Sequence, residues 1–263
     1  MNVVYLSFCG LIVKVILHKS QYPAAKKAFL DSFIKTHKTF ICPAPHRLAD
    51  YTINIFDVEW KNIMPIKKGS NNFIYLYSNK SENEIITSYF ISPGLSKIIL
   101  TRILESQTAK LQGVLIHASS SIINGKTDIF CGISGTGKST IASLLRNSYK
   151  VFADDTVFVV KRADRFIAYQ TPFLEKFDWI ERGKKSYPVG RIFFLIQSKK
   201  CKIAKIQSKD IAFQEFMKRF GTQKDLLKKQ TKILLKLIST HDCYYLYFSK
   251  NKKELVNLLG KNT

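Results

Sequence analysis

No apolar run in this chain reaches the roughly 18–20 residues that a membrane-spanning helix needs. The longest, Val3 to Leu17, is interrupted by Lys14. It has no basic stretch before it and no convincing small-residue cleavage site, which argues against a secretory signal and for a buried N-terminal strand. Cysteine is sparse and dispersed. Cys9, Cys42, Cys131, Cys201 and Cys243 contain no C-x-x-C pair, which argues against a zinc site or a disulfide framework and fits a reducing, cytoplasmic setting. The five histidines are scattered, without metal-ligand spacing. Internal repeats and low-complexity linkers are also missing.

Acidic residues are few. Nineteen Asp and Glu face 42 Lys and Arg, for a formal net charge of +23 over 263 residues. Such a charge suits anionic partners. It is uneven, with 20 Lys/Arg against 5 Asp/Glu in residues 182–263. One reading is a surface that meets an acidic protein, nucleic acid or phospholipid; the other is lysine used freely at solvated positions. Lysine dominates arginine, and no arginine-rich or aromatic-interleaved stretch gives a convincing nucleic-acid signal.

What is present is a normal apolar content of 46%, enough for a real core. Residues 1–93 read as a β-rich region. Strand candidates are 51–56 and 73–77, with Pro43, Pro45 and the turn residues 69–72 as punctuation and a short helix over 26–34. Residues 94–263 read as a second, α/β domain. A helix is expected over 95–106, then a buried strand over 113–118 that ends near His117. Asn124-Gly125 signals a hairpin. Further strands are expected at 150–153, 157–160, 191–196 and 244–248, with helices over 211–220 and 225–239. Lys224, Lys228, Lys232 and Lys236 form an i, i+4 ladder, read first as a solvated face.

Residues 132–139, Gly-Ile-Ser-Gly-Thr-Gly-Lys-Ser, have the form G-x-x-x-x-G-K-[ST] of a phosphate-binding loop. Glycines let backbone N–H groups turn inward around a phosphate. Gly132, Ile133, Ser134, Gly135, Thr136, Gly137, Lys138, Ser139 and Thr140 are the expected nucleotide cradle, with Lys138 at the terminal phosphates and Ser139 on Mg²⁺. An apolar strand, Asp128 to Cys131, precedes the loop and a helix with Ile141, Leu144 and Leu145 on one face follows it, which places a helix N-terminus at the phosphates.

Asp154-Asp155 arrives on the next expected strand, with Asp155 sixteen residues after Ser139. One carboxylate of such a pair can hold Mg²⁺ and the other can take a proton from an attacking hydroxyl. Motor and transport ATPases place the corresponding acid much further along the chain. No L-S-G-G-Q signature occurs. The spacing therefore points to a kinase.

The ordered set His117-Ala118-Ser119, the hairpin, the loop at 132–139 and Ala153-Asp154-Asp155 resembles the HPr serine kinase/phosphorylase family, and more closely its short relatives, over residues 93 to about 200. The resemblance implies a nucleotide domain similar to that of phosphoenolpyruvate carboxykinase, an α/β fold with a mixed sheet; the β-rich region 1–93, which does not look like the family's regulatory domain, is expected from its own residues to pack on that core. The resemblance also implies ATP and Mg²⁺ as cofactors, and a serine-containing protein, precursor peptide or free serine as acceptor. Lys138 would contact the β/γ-phosphates, Asp155 would be the base, and His117 would lie beside the transferring group. The family's glutamate metal ligand lies in an E-x-R-G motif, whose nearest counterpart here is Glu181-Arg182-Gly183, one residue short, with Glu175 after Thr171-Pro172-Phe173 as the alternative; with Ser139 and Asp154 it would complete the metal site. The C-terminal motif linked to phosphorolysis has only a faint echo in 187–191, so kinase activity is the expectation. A nucleotide-dependent module that grips an acidic partner, and a small-molecule kinase, are the alternative readings. A homo-oligomer is compatible with the sequence.

Overall fold

The protein is described by a computed structural model covering residues 3–57, 77–91, 93–173, 176–219 and 224–261. The expected strand at 73–77, except Tyr77, the turn residues 69–72 and the alternative ligand Glu175 lie outside the described residues. The chain divides into two compact units, Met1–Ile103 with Pro172–Leu174, and Leu104–Thr171 with Glu175–Thr263. The sequence expectation had put the division at 93/94; the observed one falls within a single helix, α2 below.

In the first unit, β1 (Val3–Phe8) and β2 (Leu11–Leu17) form an antiparallel hairpin where one strand was expected. Its two turn residues, Cys9 and Gly10, both take positive φ, 53° and 83°. That is the geometry a two-residue hairpin demands, met here without Asn-Gly. Then come α1 (Pro23–His37), a 3-10 turn at Lys38–Phe40, β3 (Ile41–Cys42), β4 (Tyr51–Phe56), β5 (Tyr77–Ser81) and β6 (Glu84–Ser88). The six strands lie in the order β3-β1-β2-β4-β6-β5, with β2, β4 and β6 parallel. Alternate residues such as Leu6, Val13, Val15, Ile53, Ile55 and Ile85 are buried, the period-2 signature of a covered sheet face. Buried Asn54 links strands across the sheet: its Oδ1 accepts from His18 Nε2 at 2.8 Å and its Nδ2 donates to Glu84 Oε1 at 2.6 Å.

The second unit begins within α2 (Pro93–Leu111), which is longer at both ends than expected. Next are β7 (Gly113–Ile116), β8 (Ala118–Ile123), β9 (Lys126–Cys131), α3 (Lys138–Leu145), β10 (Lys150–Ala153), β11 (Val157–Arg162) and β12 (Arg165–Gln170). The chain ends with β13 (Ser186–Gln197), β14 (Lys202–Lys205), α4 (Lys209–Met217), α5 (Lys224–Thr240), β15 (Cys243–Phe248) and α6 (Lys252–Gly260). The main strand order is β10-β8-β9-β13-β12-β11-β7, with β15 against β13 and β14 against β15. Both sheets are mixed, and the protein is of the mixed α/β class.

Strand β13 organises this unit. Along one edge it runs parallel to β9. Along the other, residues 186–188 pair with β12 and residues 192–197 pair with β15. Its interior is continuously apolar because both faces are covered. Ile192 and Phe194 join a core with Ala212 and Phe216 of α4 and Leu234 and Leu237 of α5. Phe193 and Leu195 join another with Ile141 and Leu145 of α3 and Leu255 and Leu259 of α6. Each fully buried Phe contributes about 1.5–3 kcal/mol. Among the described residues, no helix is long and apolar enough to cross a membrane.

Where β9 and the middle of β13 meet, at the irregularity in their pairing between Val189 and Ile192, a buried ion pair links the two strands. Asp128 accepts from Arg191 Nη2 at 2.6 Å, from Nε at 3.0 Å and from the Arg191 backbone N–H at 2.9 Å. Arg191 also donates to the Leu259 carbonyl at 2.7 Å, tying in the end of α6. Burial pushes the Asp128 carboxyl above its ordinary value, and Arg191 pulls it partly back. Gly190 makes room, since a Cβ there would lie 2.5 Å from Asp128 Oδ1. Arg191→Met would leave Asp128 buried with its charge uncompensated and only the backbone N–H of residue 191 as a donor, with an expected loss of about 3–5 kcal/mol in denaturant unfolding. Lys80→Ala, which breaks the exposed pair with Glu84, should change stability by less than about 0.5 kcal/mol.

Candidate functional site

Strand β9 ends at Cys131 and the chain turns through the glycine-rich loop into α3. Gly135 and Gly137 have φ of +81° and +104°, conformations that glycine adopts at little steric cost. Gly137 also has a packing reason: a Cβ there would meet Phe248 Cζ at 2.6 Å. A Cβ on Gly132 would lie 2.0 Å from Thr136 Oγ1. That hydroxyl donates back to the Ile133 carbonyl at 2.7 Å, and Gln197 Nε2, at the end of β13, donates to the Gly135 carbonyl at 3.0 Å. The loop is thus held from inside and from the neighbouring parallel strand.

Helix α3 starts at Lys138, two residues earlier than expected, with Gly137 as its N-cap. Ile141, Ala142 and Leu145 anchor it in the core. Its positive dipole end coincides with the loop. The Lys138 ammonium is nearly buried and donates to the carbonyls of Gly132 at 2.8 Å and Ile133 at 3.1 Å. Burial lowers its pKa, while Asp155 acts in the opposite sense. Ser139 and Thr140 follow in the first turn, half-buried.

The two adjacent aspartates have opposite environments. Asp154 is 3% exposed. Its Oδ1 accepts from the Lys176 backbone N–H at 3.0 Å and its Oδ2 from that of Phe177 at 3.2 Å. Asp155 faces outward. Its Oδ1 lies 3.5 Å from His117 Nδ1, with the two side chains 33% and 51% exposed. His117 sits between β7 and β8, where the chain leaves the β11 edge and begins to pair with β9 and β10. The Ala118 backbone N–H donates to the Asp155 carbonyl at 3.1 Å, which brings the two segments together.

Glu181 lies elsewhere. Its exposed carboxylate pairs with Lys150 at 2.6 Å and Lys185 at 3.6 Å, and the Lys150 ammonium holds its pKa below the ordinary value. Among the described residues, no three of His, Cys, Asp and Glu converge as a metal site, so Glu181 does not gather with Asp154 and Asp155. Of the other expected ligands, Asp154 has each carboxylate oxygen engaged by a backbone N–H and Ser139 lies in the first turn of α3; carboxylate and hydroxyl oxygens are the donor type that Mg²⁺ takes beside water and phosphate oxygens.

Three residues that sequence reasoning missed border the loop. Gln197, Lys218 and Arg219 line, with residues 133–136, an open groove of about 740 Å³. The Arg219 guanidinium sits 4.8 Å from the Phe194 ring centroid and pairs with Glu215. Its Nε is buried without a hydrogen-bond partner among the described residues. Burial alone would raise the Glu215 pKa, but bonds from Lys218 and Arg219 leave it below the ordinary value. In sequence these residues look like the solvated end of a helix, and only the packing of α4 brings them to the loop.

The two aspartates should separate on mutation. Asp154→Asn puts an amide donor against one of two backbone N–H groups, so unfolding free energy should fall by about 1–3 kcal/mol. Asp155→Asn should stay within about 0.5 kcal/mol of wild type. Thermal and denaturant melts of both variants check this.

Comparison with known proteins gives two matches and one blank. Among solved structures, 54 chains match. One is the HPr(Ser) kinase/phosphatase from Coxiella burnetii, at 11% identity and a TM-score of 0.32, covering 55% of this chain and 93% of that one. No curated protein matches. Residues 95–233 match the family described as SynChlorMet cassette protein ScmC. That stretch includes His117, the glycine-rich loop, the Asp154-Asp155 pair and Arg219. It spans just over half of the chain, which therefore belongs to the ScmC family.

Proposed function

We propose that the protein is an ATP-dependent, Mg²⁺-requiring kinase that transfers the γ-phosphoryl group to a serine hydroxyl. The acceptor class is a protein, a precursor peptide or free serine. The observation that carries this reading is the meeting of three groups at one end of the sheet. They are the Lys138 ammonium within the glycine-rich loop, His117, which precedes Ala118 opposite Cys131 where the loop begins, and Asp155 beside His117.

In this reading the loop amides and the N-terminus of α3 hold the phosphates, and Lys138 exchanges its carbonyl partners for phosphate oxygens. Arg219, kept in place by Glu215 and the Phe194 ring, adds a second positive charge at the groove. Asp155 accepts the serine proton as the serine oxygen bonds to the γ-phosphorus and the bond to the ADP oxygen breaks. His117 holds the Asp155 carboxylate in line. Asp154, fixed by two backbone N–H groups, sets the direction in which Asp155 points. Ser139 is the ligand the loop offers to Mg²⁺, which would supply charge neutralisation between the phosphates.

Lys138→Ala should abolish ATP binding in calorimetry. Asp155→Asn should keep nucleotide affinity within about threefold while transfer of labelled phosphate falls by roughly 100-fold or more. Arg219→Ala should lower transfer, and, since it leaves the largely buried Glu215 with Lys218 alone, should also lower unfolding free energy by about 1–3 kcal/mol. Transfer by Asp155→Asn at the wild-type rate would remove the assigned base.

A further inference from the structure

The carboxyl ends of β13 and β15 open into two short loops, 198–201 and 249–251. They are fastened to each other. The Ser198 N–H donates to the Phe248 carbonyl at 2.9 Å, and the Ser249 N–H to Cys201 Sγ at 3.5 Å. The Cys201 N–H donates to Glu254 Oε1 at 3.0 Å. Gln197, just before the first loop, donates to the Gly135 carbonyl. The rim is therefore continuous with the glycine-rich loop and its groove.

This rim carries Lys199, Lys200, Lys202, Lys250, Lys252 and Lys253, all exposed. Among the described residues, no carboxylate pairs with any of the six, whereas Lys80, Lys150, Lys205 and Lys218 elsewhere each have one. Glu254, the one acidic residue of these segments, has an oxygen committed to the Cys201 N–H. Like charges within the Debye length of about 10 Å at 0.1 M salt repel one another, and an anionic partner relieves that repulsion.

We infer that this rim docks an acidic polypeptide segment. Its place as the acceptor, with a serine delivered to the adjoining groove, rests on the kinase reading above. The side chains favour a polypeptide over other polyanions. The six cations are lysines with no arginine fork and no exposed aromatic among them for stacking on bases. None of the large exposed apolar side chains lies on these loops to insert into a lipid surface.

The test uses the full chain without nucleotide and a labelled, glutamate-rich peptide containing a single serine, read by fluorescence anisotropy. Lys200→Glu with Lys250→Glu should weaken binding roughly tenfold, and added salt should erase the difference. The control, Lys232→Glu with Lys236→Glu on exposed positions of α5, has the same charge change and should alter affinity less than about twofold. Equal losses in the two variants, or no loss at the rim, would overturn the proposal. So would polyuridine or phosphatidylserine vesicles binding more tightly than the peptide through the same lysines. A separate ATP titration keeps the two readings apart: loss of nucleotide binding with docking intact would sink the kinase and leave the docking surface standing.

Discussion

Burial of β9, β13 and β15 on both faces is the constraint from which the candidate site follows. Parallel strands covered on two sides must be apolar along their length, so polar chemistry collects where they end. On one side the Asp128–Arg191 pair links β9 to β13 and holds the close of α6. On the other, Phe248 packs against Gly137 and Gln197 grips Gly135. The loop's shape is thus set by the core beneath it as well as by its own glycines, and a change in the strands would reach Lys138 through those contacts.

The site divides labour between neighbours. Asp154 and Asp155 are adjacent in sequence, at the bend between β10 and β11, where the backbone N–H groups of Lys176 and Phe177 hold the first carboxylate inward while the second faces His117. Lys138 and Arg219 show a related economy. Each cation has protein acceptors, carbonyls for Lys138 and a carboxylate for Arg219, as a buried charge requires.

Local chemistry was legible from residues alone. The glycine spacing, the apolar strand before it, the Asn124-Gly125 turn and the major helices all have signals within a few residues, and the structure contains those elements. Long-range placement was not. Gln197, Lys218 and Arg219 reach the loop through packing of β13 and α4, which leaves no local pattern. The Cys9-Gly10 turn was hidden inside an apolar run because its positive φ falls partly on a cysteine. Strands β12 and β14 are short and carry charged residues, so their alternation was faint. The different environments of Asp154 and Asp155 depend on the backbone at 176–177, 22 and 23 residues beyond Asp154 in sequence.

The uneven charge of the chain gains a location from the topology. Six lysines from two separate stretches, 199–202 and 250–253, come together on one rim because β13 and β15 are parallel and end side by side. The most direct test of the account is a search for phosphoserine by mass spectrometry after incubating the wild-type chain with ATP, Mg²⁺ and serine-containing acceptors, free serine and a glutamate-rich peptide among them. The account predicts a single added phosphate on the serine of at least one acceptor, dependent on Mg²⁺. Bound ATP with no phosphorylated acceptor under any of these conditions would contradict it.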